Sequence, residues 1–309
     1  MLPKNMLITS PVDGLDLSVF IIEPDEAPKA VLQIVHGMAE MKERYTSFMT
    51  YLAENGYACV IHDHRGHGDS VKSEEDLGYM YEGGGSSLVE DAHQVTLAAK
   101  KRWPGIPLIL MGHSMGSLVV RCYTKKYDKD IDGLIVMGTP ARNGAVGVAK
   151  VLAGISKTFK GGHHRSEFLN NLAFGSYLKD IPDAKTKNDW LSVNTDNVAF
   201  YNMHKKCGYT FTIDGFQGLF DVLEDTYSKK GWALNNATLP ILFMSGEKDP
   251  CVNGRKNFDE AVQFMKDRGY NDTESIMYDG LRHEILNEDN RREIYEDIRK
   301  WMDGVISGE

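Results

Sequence analysis

Two stretches of the 309-residue chain hold side chains whose type and spacing can do chemistry. The first is Gly112-His113-Ser114-Met115-Gly116, which follows the apolar run Leu108-Ile109-Leu110-Met111 and precedes Leu118 to Tyr123. A serine placed on a sharp turn between a strand and a helix needs small flanking residues, because side chains there would collide as the backbone doubles back. Such a serine becomes a nucleophile only when an imidazole takes its proton and a carboxylate orients that imidazole. The second is His62-x-His64-x-x-His67-x-Asp69, where closely spaced imidazoles look able to grip zinc. A dinuclear metal loop of that kind wants an acidic residue at the place of Gly66 and further histidines in distant loops. The pattern around the second stretch does not supply them, so no metal is expected.

The elements that must position these residues follow a strand and helix alternation through the first 140 residues, the pattern of a parallel sheet with crossover helices. Strands are expected at Leu17 to Ile22, Val31 to Val35, Tyr57 to His62, Pro107 to Met111 and Ile131 to Met137. Tyr45, Phe48, Met49 and Leu52 recur at helical spacing, as do Leu88, Ala92, Val95 and Ala99. The alternation returns near the C-terminus. There Ile241 to Met244 reads as a strand, Phe258, Val262 and Met265 as a helix, Ser275 to Tyr278 as a strand, and Ile294, Ile298, Trp301 and Met302 as a final helix. Between about Thr139 and Leu239 the rhythm lapses into a segment rich in Phe, Tyr, Leu and Asn, expected to be a mainly helical insertion over the sheet.

His36-Gly37-Met38-Ala39-Glu40 with Arg44-Tyr45, Asp63-His64-Arg65-Gly66-His67-Gly68-Asp69-Ser70, and the serine turn stand in order after successive strands. In that order they resemble the α/β-hydrolase superfamily, and more closely its monoacylglycerol lipase and lysophospholipase branch. The resemblance implies a mostly parallel eight-stranded sheet flanked by helices. It implies a hydrolase core over residues 1–139 and 240–309 and a cap over 140–239. The loop Ser245-Gly246-Glu247-Lys248-Asp249-Pro250 would supply the acid and Arg282-His283-Glu284 the base, so the resemblance assigns Ser114, Asp249 and His283 to a triad. Glu247 and Asp279 are the rival carboxylates nearby. The backbone N–H groups of Met38 and Met115 would form the oxyanion hole, each such donor being worth ~3 kcal/mol of barrier. His36, His113, Trp190 and Tyr201 are candidates to touch substrate, with His36 expected mainly to shape its loop.

The implied activity is cofactor-free hydrolysis of carboxylic esters, namely monoacylglycerols, lysophospholipids or short to medium acyl esters, rising with pH through about 6 to 8 as the base becomes neutral. An aminopeptidase or amidase of the same fold, and a non-catalytic ligand-binding relative, are the alternatives. With 35 Lys and Arg against 44 Asp and Glu, the net charge of −9 disfavours nucleic acid as a partner. Lys160, His163 and Arg165 beside Val146, Val148, Val151 and Leu152 suggest a transient contact of the cap with a membrane surface. Cys59, Cys122, Cys207 and Cys251 are scattered without CxxC spacing, and the first residues resemble no signal peptide, so a cytoplasmic protein with reduced thiols is expected. Oligomeric state leaves no mark in the pattern.

Overall fold

A computed structural model describes residues 3–308. Eight strands form one sheet: β1 (Lys4–Thr9), β2 (Asp16–Ile22), β3 (Val31–Val35), β4 (Ala58–His62), β5 (Leu108–His113), β6 (Gly133–Met137), β7 (Ile241–Gly246) and β8 (Thr273–Tyr278). Their order across the sheet is β1-β2-β4-β3-β5-β6-β7-β8. The pairs β1 with β2 and β2 with β4 are antiparallel, and every other neighbouring pair is parallel. β3 to β7 are buried along their whole length, which is why they read as largely apolar runs rather than as alternating ones, with polar residues such as Gln33 and His62 buried among them.

The period-two alternation of each strand divides the core. Leu108 and Leu110 join one buried cluster and Ile109 and Met111 the other. α1 (Thr46–Glu54) and α9 (Arg291–Ser307) cover the second face through Phe48, Leu52, Ile294 and Ile298, while α2 (Gly84–Arg102), α3 (Met115–Tyr127) and α8 (Arg255–Lys266) cover the first.

The segment between β6 and β7 carries α4 (Val146–Lys160), α5 (Glu167–Phe174), α6 (Thr195–Met203) and α7 (Ile213–Thr226). It does not sit over the sheet as a separate globule. Phe211, Phe216 and Phe220 belong to the same buried cluster as Leu88, Val119 and Val120 of α2 and α3. A Cβ on Gly85 of α2 would stand 2.4 Å from the carbonyl oxygen of Gly218 in α7, so this helix crossing depends on a bare backbone.

The loop after β4 is pinned by Arg65, which is fully buried. Its Nε donates to Asp91 at 2.7 Å, Nη1 to Asp13 at 2.9 Å and to the Glu82 carbonyl at 2.9 Å, and Nη2 to Ser10 at 2.8 Å. One guanidinium thereby fastens the β1–β2 turn, the loop after β4 and α2 together.

One strand goes beyond the sequence reading. β1 exposes five of its six residues, Met6 and Leu7 among them, and buries only Ile8, so its short apolar run shows no inward-outward alternation. Its place at the sheet edge explains the pattern.

Candidate active site

Ser114 stands between the end of β5 and the start of α3 with φ 55° and ψ −119°, a conformation that side-chain-bearing residues rarely adopt. The glycines on either side are sterically required. A Cβ on Gly112 would lie 2.3 Å from the Gly116 carbonyl oxygen, and a Cβ on Gly116 would lie 2.0 Å from that of Val35. The turn therefore fits only because β5, α3 and the end of β3 meet at bare backbone. The Ser114 amide is tied to the Met137 carbonyl at 3.0 Å, which locks the turn to β6.

The loop after β7 buries Asp249, 2% exposed, and the loop after β8 buries His283, also 2% exposed. His283 Nδ1 donates to Asp249 Oδ2 at 2.8 Å, while Asp249 Oδ1 accepts from the Cys251 amide at 2.8 Å. With its Nδ1 proton fixed in this way, His283 turns Nε2 away from the carboxylate. The rival carboxylates are elsewhere: Glu247 is exposed and accepts from the Gly280 amide at 3.1 Å, and Asp279 is exposed. Ser114 and His283 line one cavity of about 320 Å³, with Cys251 in the same wall.

The loop after β3 carries Met38. Gly37 allows it to approach the nucleophile, since a Cβ there would come within 3.1 Å of Ser114 Cβ. Glu40 folds back on the same loop, and its Oε1 accepts from the Gly37 amide at 2.6 Å. Among the described residues, neither the Met38 nor the Met115 amide donates to a protein acceptor. Below the loop, Lys42 is buried and donates to Asp63 at 2.7 Å and Asp69 at 3.0 Å, and Lys206, between α6 and α7, reaches the same Asp69. An ion pair to Asp63 thus holds the loop from beneath. Burial pushes the Asp63 carboxyl up to about 6 even against the opposing Lys42 ammonium.

His36 does not reach substrate. It is fully buried, its Nδ1 donates to the Gly37 carbonyl at 2.8 Å and its Nε2 accepts from the His64 amide at 3.0 Å. Both ring nitrogens are spent on main chain, which makes His36 a brace and removes it from the substrate-contact set. His62, His64 and His67 are likewise fully buried and pack edge to face. His113, Trp190 and Tyr201 do line the 320 Å³ cavity, and the Trp190 and His283 rings are 5.0 Å apart.

A second cavity of about 940 Å³ lies against α4 and α7 and shares Met38, Ser114, Phe174 and Cys251 with the first. Arg44 stood in the motif after β3 without a role, and no site role was expected for Cys251 or for Glu284, which pairs with Arg44 here. Their signal lay only in adjacency, Cys251 two residues after Asp249 and Glu284 next to His283. All four cysteines are free and buried, and burial pushes Cys207 up to about 12 and Cys251 further, against a role for either as a resting thiolate. Among the described residues no helix is long and apolar enough to cross a membrane.

The family described as serine aminopeptidase, S33 matches residues 26–290. A monoacylglycerol lipase of Mycolicibacterium smegmatis is 27% identical over 294 residues, 94% of each chain. A phospholipase of Bacillus subtilis is 24% identical over 91% of this chain and 98% of its own. A thermostable carboxyl esterase from Bacillus coagulans, solved in complex with glycerol, superposes with a TM-score of 0.91 over 99% of both chains at 24% identity. The chain belongs to the serine aminopeptidase S33 family of α/β-hydrolases, on the branch that holds the monoacylglycerol lipases.

Proposed function

We propose that this protein hydrolyses carboxylic esters through Ser114, His283 and Asp249, with a monoacylglycerol or a lysophospholipid as substrate. The observation that carries the reading is the buried 2.8 Å His283–Asp249 pair in a cavity whose wall also holds Ser114. Ser114 Oγ attacks the ester carbonyl while His283 Nε2 takes its proton, and Asp249 stabilises the imidazolium that forms. The oxyanion receives the Met38 and Met115 N–H groups, the latter at the positive end of α3. His283 then returns the proton to the departing alcohol, and water repeats the attack on the acyl-enzyme.

The two cavities divide the substrate. Both are mixed in character: the larger has an apolar wall of Leu118, Val146, Ala149, Leu152 and Leu219 facing charged residues such as Lys179 and Asp183, and the smaller sets Asn170, Asn171 and Lys187 beside Trp190 and Tyr209. The acyl chain is placed along the apolar wall of the larger and the alcohol beside the amides of the smaller. An aminopeptidase would need an uncommitted carboxylate to hold a substrate ammonium. The carboxylates lining the smaller cavity are engaged: Glu40 and Glu284 bind Arg44 at 2.7 and 2.6 Å, and Glu167 accepts from Thr210 at 2.7 Å. The larger cavity carries Asp180 and Asp183 as well, so the carboxylates do not decide between ester and amide; the likeness to a monoacylglycerol lipase, a phospholipase and a carboxyl esterase is what favours esters. Residues 140–239 act as the cap in this reading.

Substrate arrives from a lipid surface through α4. Val148, Val151, Ile155 and Phe159 are exposed and recur at i, i+3, i+7 and i+11, on the opposite side of the helix from buried Val146, Ala149 and Ala153. The basic island contributes less than its composition suggests. Arg165 donates to the Thr210 and Glu75 carbonyls, Lys157 pairs with Asp214, and His163 packs on Tyr79. The contact is therefore mainly apolar and should not require anionic lipid.

The test is a panel of p-nitrophenyl esters, monoacylglycerols, lysophosphatidylcholine and aminoacyl amides, with and without chelator. Turnover of esters alone, unchanged by chelator, is expected. Preference for the amides would replace the reading with a peptidase, and no turnover at all with a binding protein.

A further inference from the structure

In the wall of the 320 Å³ cavity, ionisable side chains from separate pieces of chain meet with almost no exposed surface. Glu40 comes from the loop after β3, Arg44 from the turn before α1, His113 from the end of β5, and Glu284 from the residue after His283. Their side chains are only 2–5% exposed. Arg44 Nη1 donates to Glu40 Oε2 at 2.7 Å and to Glu284 Oε1 at 2.6 Å, and Nη2 donates to Glu284 and to Asn197 of α6. Two carboxylates against one guanidinium would leave a surplus negative charge buried beside the reaction centre, which is costly unless a second cation is present.

The His113 ring supplies it. Nε2 faces the His283 carbonyl oxygen at 3.2 Å, and a carbonyl can only accept, so Nε2 carries a proton. Nδ1 faces Glu40 Oε1 at 3.4 Å and the Tyr45 hydroxyl oxygen at 3.1 Å. The Tyr45 hydroxyl lies 3.1 Å from both Glu40 Oε1 and Nδ1 and has one proton to give. With that proton on Glu40, Nδ1 faces only acceptors and donates, and the buried charge balance selects this arrangement over a neutral ring that accepts from Tyr45. A doubly protonated ring satisfies every partner and brings the charge of the four groups to zero.

We propose that His113 is a resident imidazolium and a positioning residue, clamping the His283 backbone to the nucleophile turn and cancelling the charge of Glu40 and Glu284 beside the base. Its effect on rate rests on the reading of His283 as base; its protonation does not. Burial pulls the ring toward neutrality, but Glu40 first and then Glu284 outweigh it and lift its proton affinity above the usual histidine range. Burial likewise pushes Glu40 up, and His113 and Arg44 hold it below the usual carboxylate range. The groups facing His113 are Glu40, Tyr45, Glu284 and the His283 ring, whose centroid is 4.7 Å away, with Arg44 behind the carboxylates. One side chain thereby joins the loop that carries Met38, the serine turn and the base.

Two measurements test this on the full-length protein. ¹⁵N-histidine NMR of the unmodified chain, with the His113 ring assigned from His113→Gln or, if that variant misfolds, from the resonance moved by Glu40→Gln, is expected to show both nitrogens protonated and no titration from pH 6 to 8. A neutral tautomer in that range overturns the proposal. In kinetics, His113→Gln leaves the surplus negative charge in place, so the acid limb of kcat/KM is expected to move up by about half a pH unit or more. kcat should fall at least tenfold with KM within twofold, and Glu40→Gln added to His113→Gln should bring the limb back. A lower kcat with an unmoved limb in both variants reduces His113 to packing and overturns the electrostatic role. Failure of the base assignment would show separately, as turnover surviving in His283→Ala, and would leave the NMR result standing.

Discussion

The loops that carry the site should fail in mild acid, because they rest on buried neutral histidines. His36, His62, His64 and His67 are fully buried. Burial, reinforced by neighbouring rings, lowers His36 to about 3, and burial with His67 lowers His62 to about 4. Burial alone lowers His67 to about 4, while burial with His36 carries His64 well below its usual value. Their folded-state affinities lie below the unfolded value, so the unfolded chain binds more protons and stability falls with pH. The contribution is intact above about pH 6.5 and is lost progressively toward pH 4. At pH 5.5, one unit below the unfolded value, each such histidine costs ~1.4 kcal/mol, and together they cost ~6 kcal/mol. His113, whose affinity is raised, and Asp63, raised to about 6, work in the opposite sense and return part of this. The net loss of about 3 to 5 kcal/mol is a large share of an ordinary domain's 5–15 kcal/mol. Urea unfolding at pH 7.5, 6.5 and 5.5 measures it. His62 sharpens the test, since neither of its ring nitrogens has a protein partner. His62→Leu should be neutral or stabilising at pH 7.5 and should reduce the pH slope by about one proton. Equal stability at pH 7.5 and 5.5, or an unchanged slope in His62→Leu, would refute the reasoning.

Asp249→Asn should lower kcat by about 10⁴-fold through the wrong imidazole tautomer, whereas Glu247→Gln and Asp279→Asn should stay within threefold; steady-state kinetics on a soluble ester separates them. Gly116→Ala places a methyl 2.0 Å from the Val35 oxygen and 2.5 Å from that of His36, both at the end of a central strand. It should cost about 3 kcal/mol or more in urea unfolding, and an unaltered midpoint would contradict the described turn. Phe159, 84% exposed on α4, has little to lose in stability. Paired substitution Ile155→Ser and Phe159→Ser should slow hydrolysis of vesicle-borne monoacylglycerol several-fold while leaving p-nitrophenyl butyrate untouched, and equal rates on both would remove the surface contact.

Much of the sheet was legible because its central strands are buried on both faces and are mostly apolar, as in Val31-Leu32-Gln33-Ile34-Val35, where buried Gln33 donates to the Ala92 carbonyl and accepts from Thr96. β1 was not, because an edge strand that exposes Met6 and Leu7 and buries Ile8 alone shows a three-residue apolar run without the alternation of a half-buried strand. The serine turn was legible in its glycines, whose need is steric and local. The distant members were legible only through resemblance, since nothing in the spacing of Asp249 and His283 says that 34 residues of separation become a 2.8 Å hydrogen bond. The seam of α7 with α2 and the charge balance among Glu40, Arg44, His113 and Glu284 were hidden for the same reason. They arise where segments up to 240 residues apart converge, and composition alone records no such meeting.

The central claim is that Ser114 is an activated nucleophile. Intact-mass measurement after exposure to a fluorophosphonate tests it most directly: one adduct per chain is expected, absent in Ser114→Ala and strongly slowed in His283→Ala. An unlabelled wild-type chain, or labelling that survives Ser114→Ala, would contradict it.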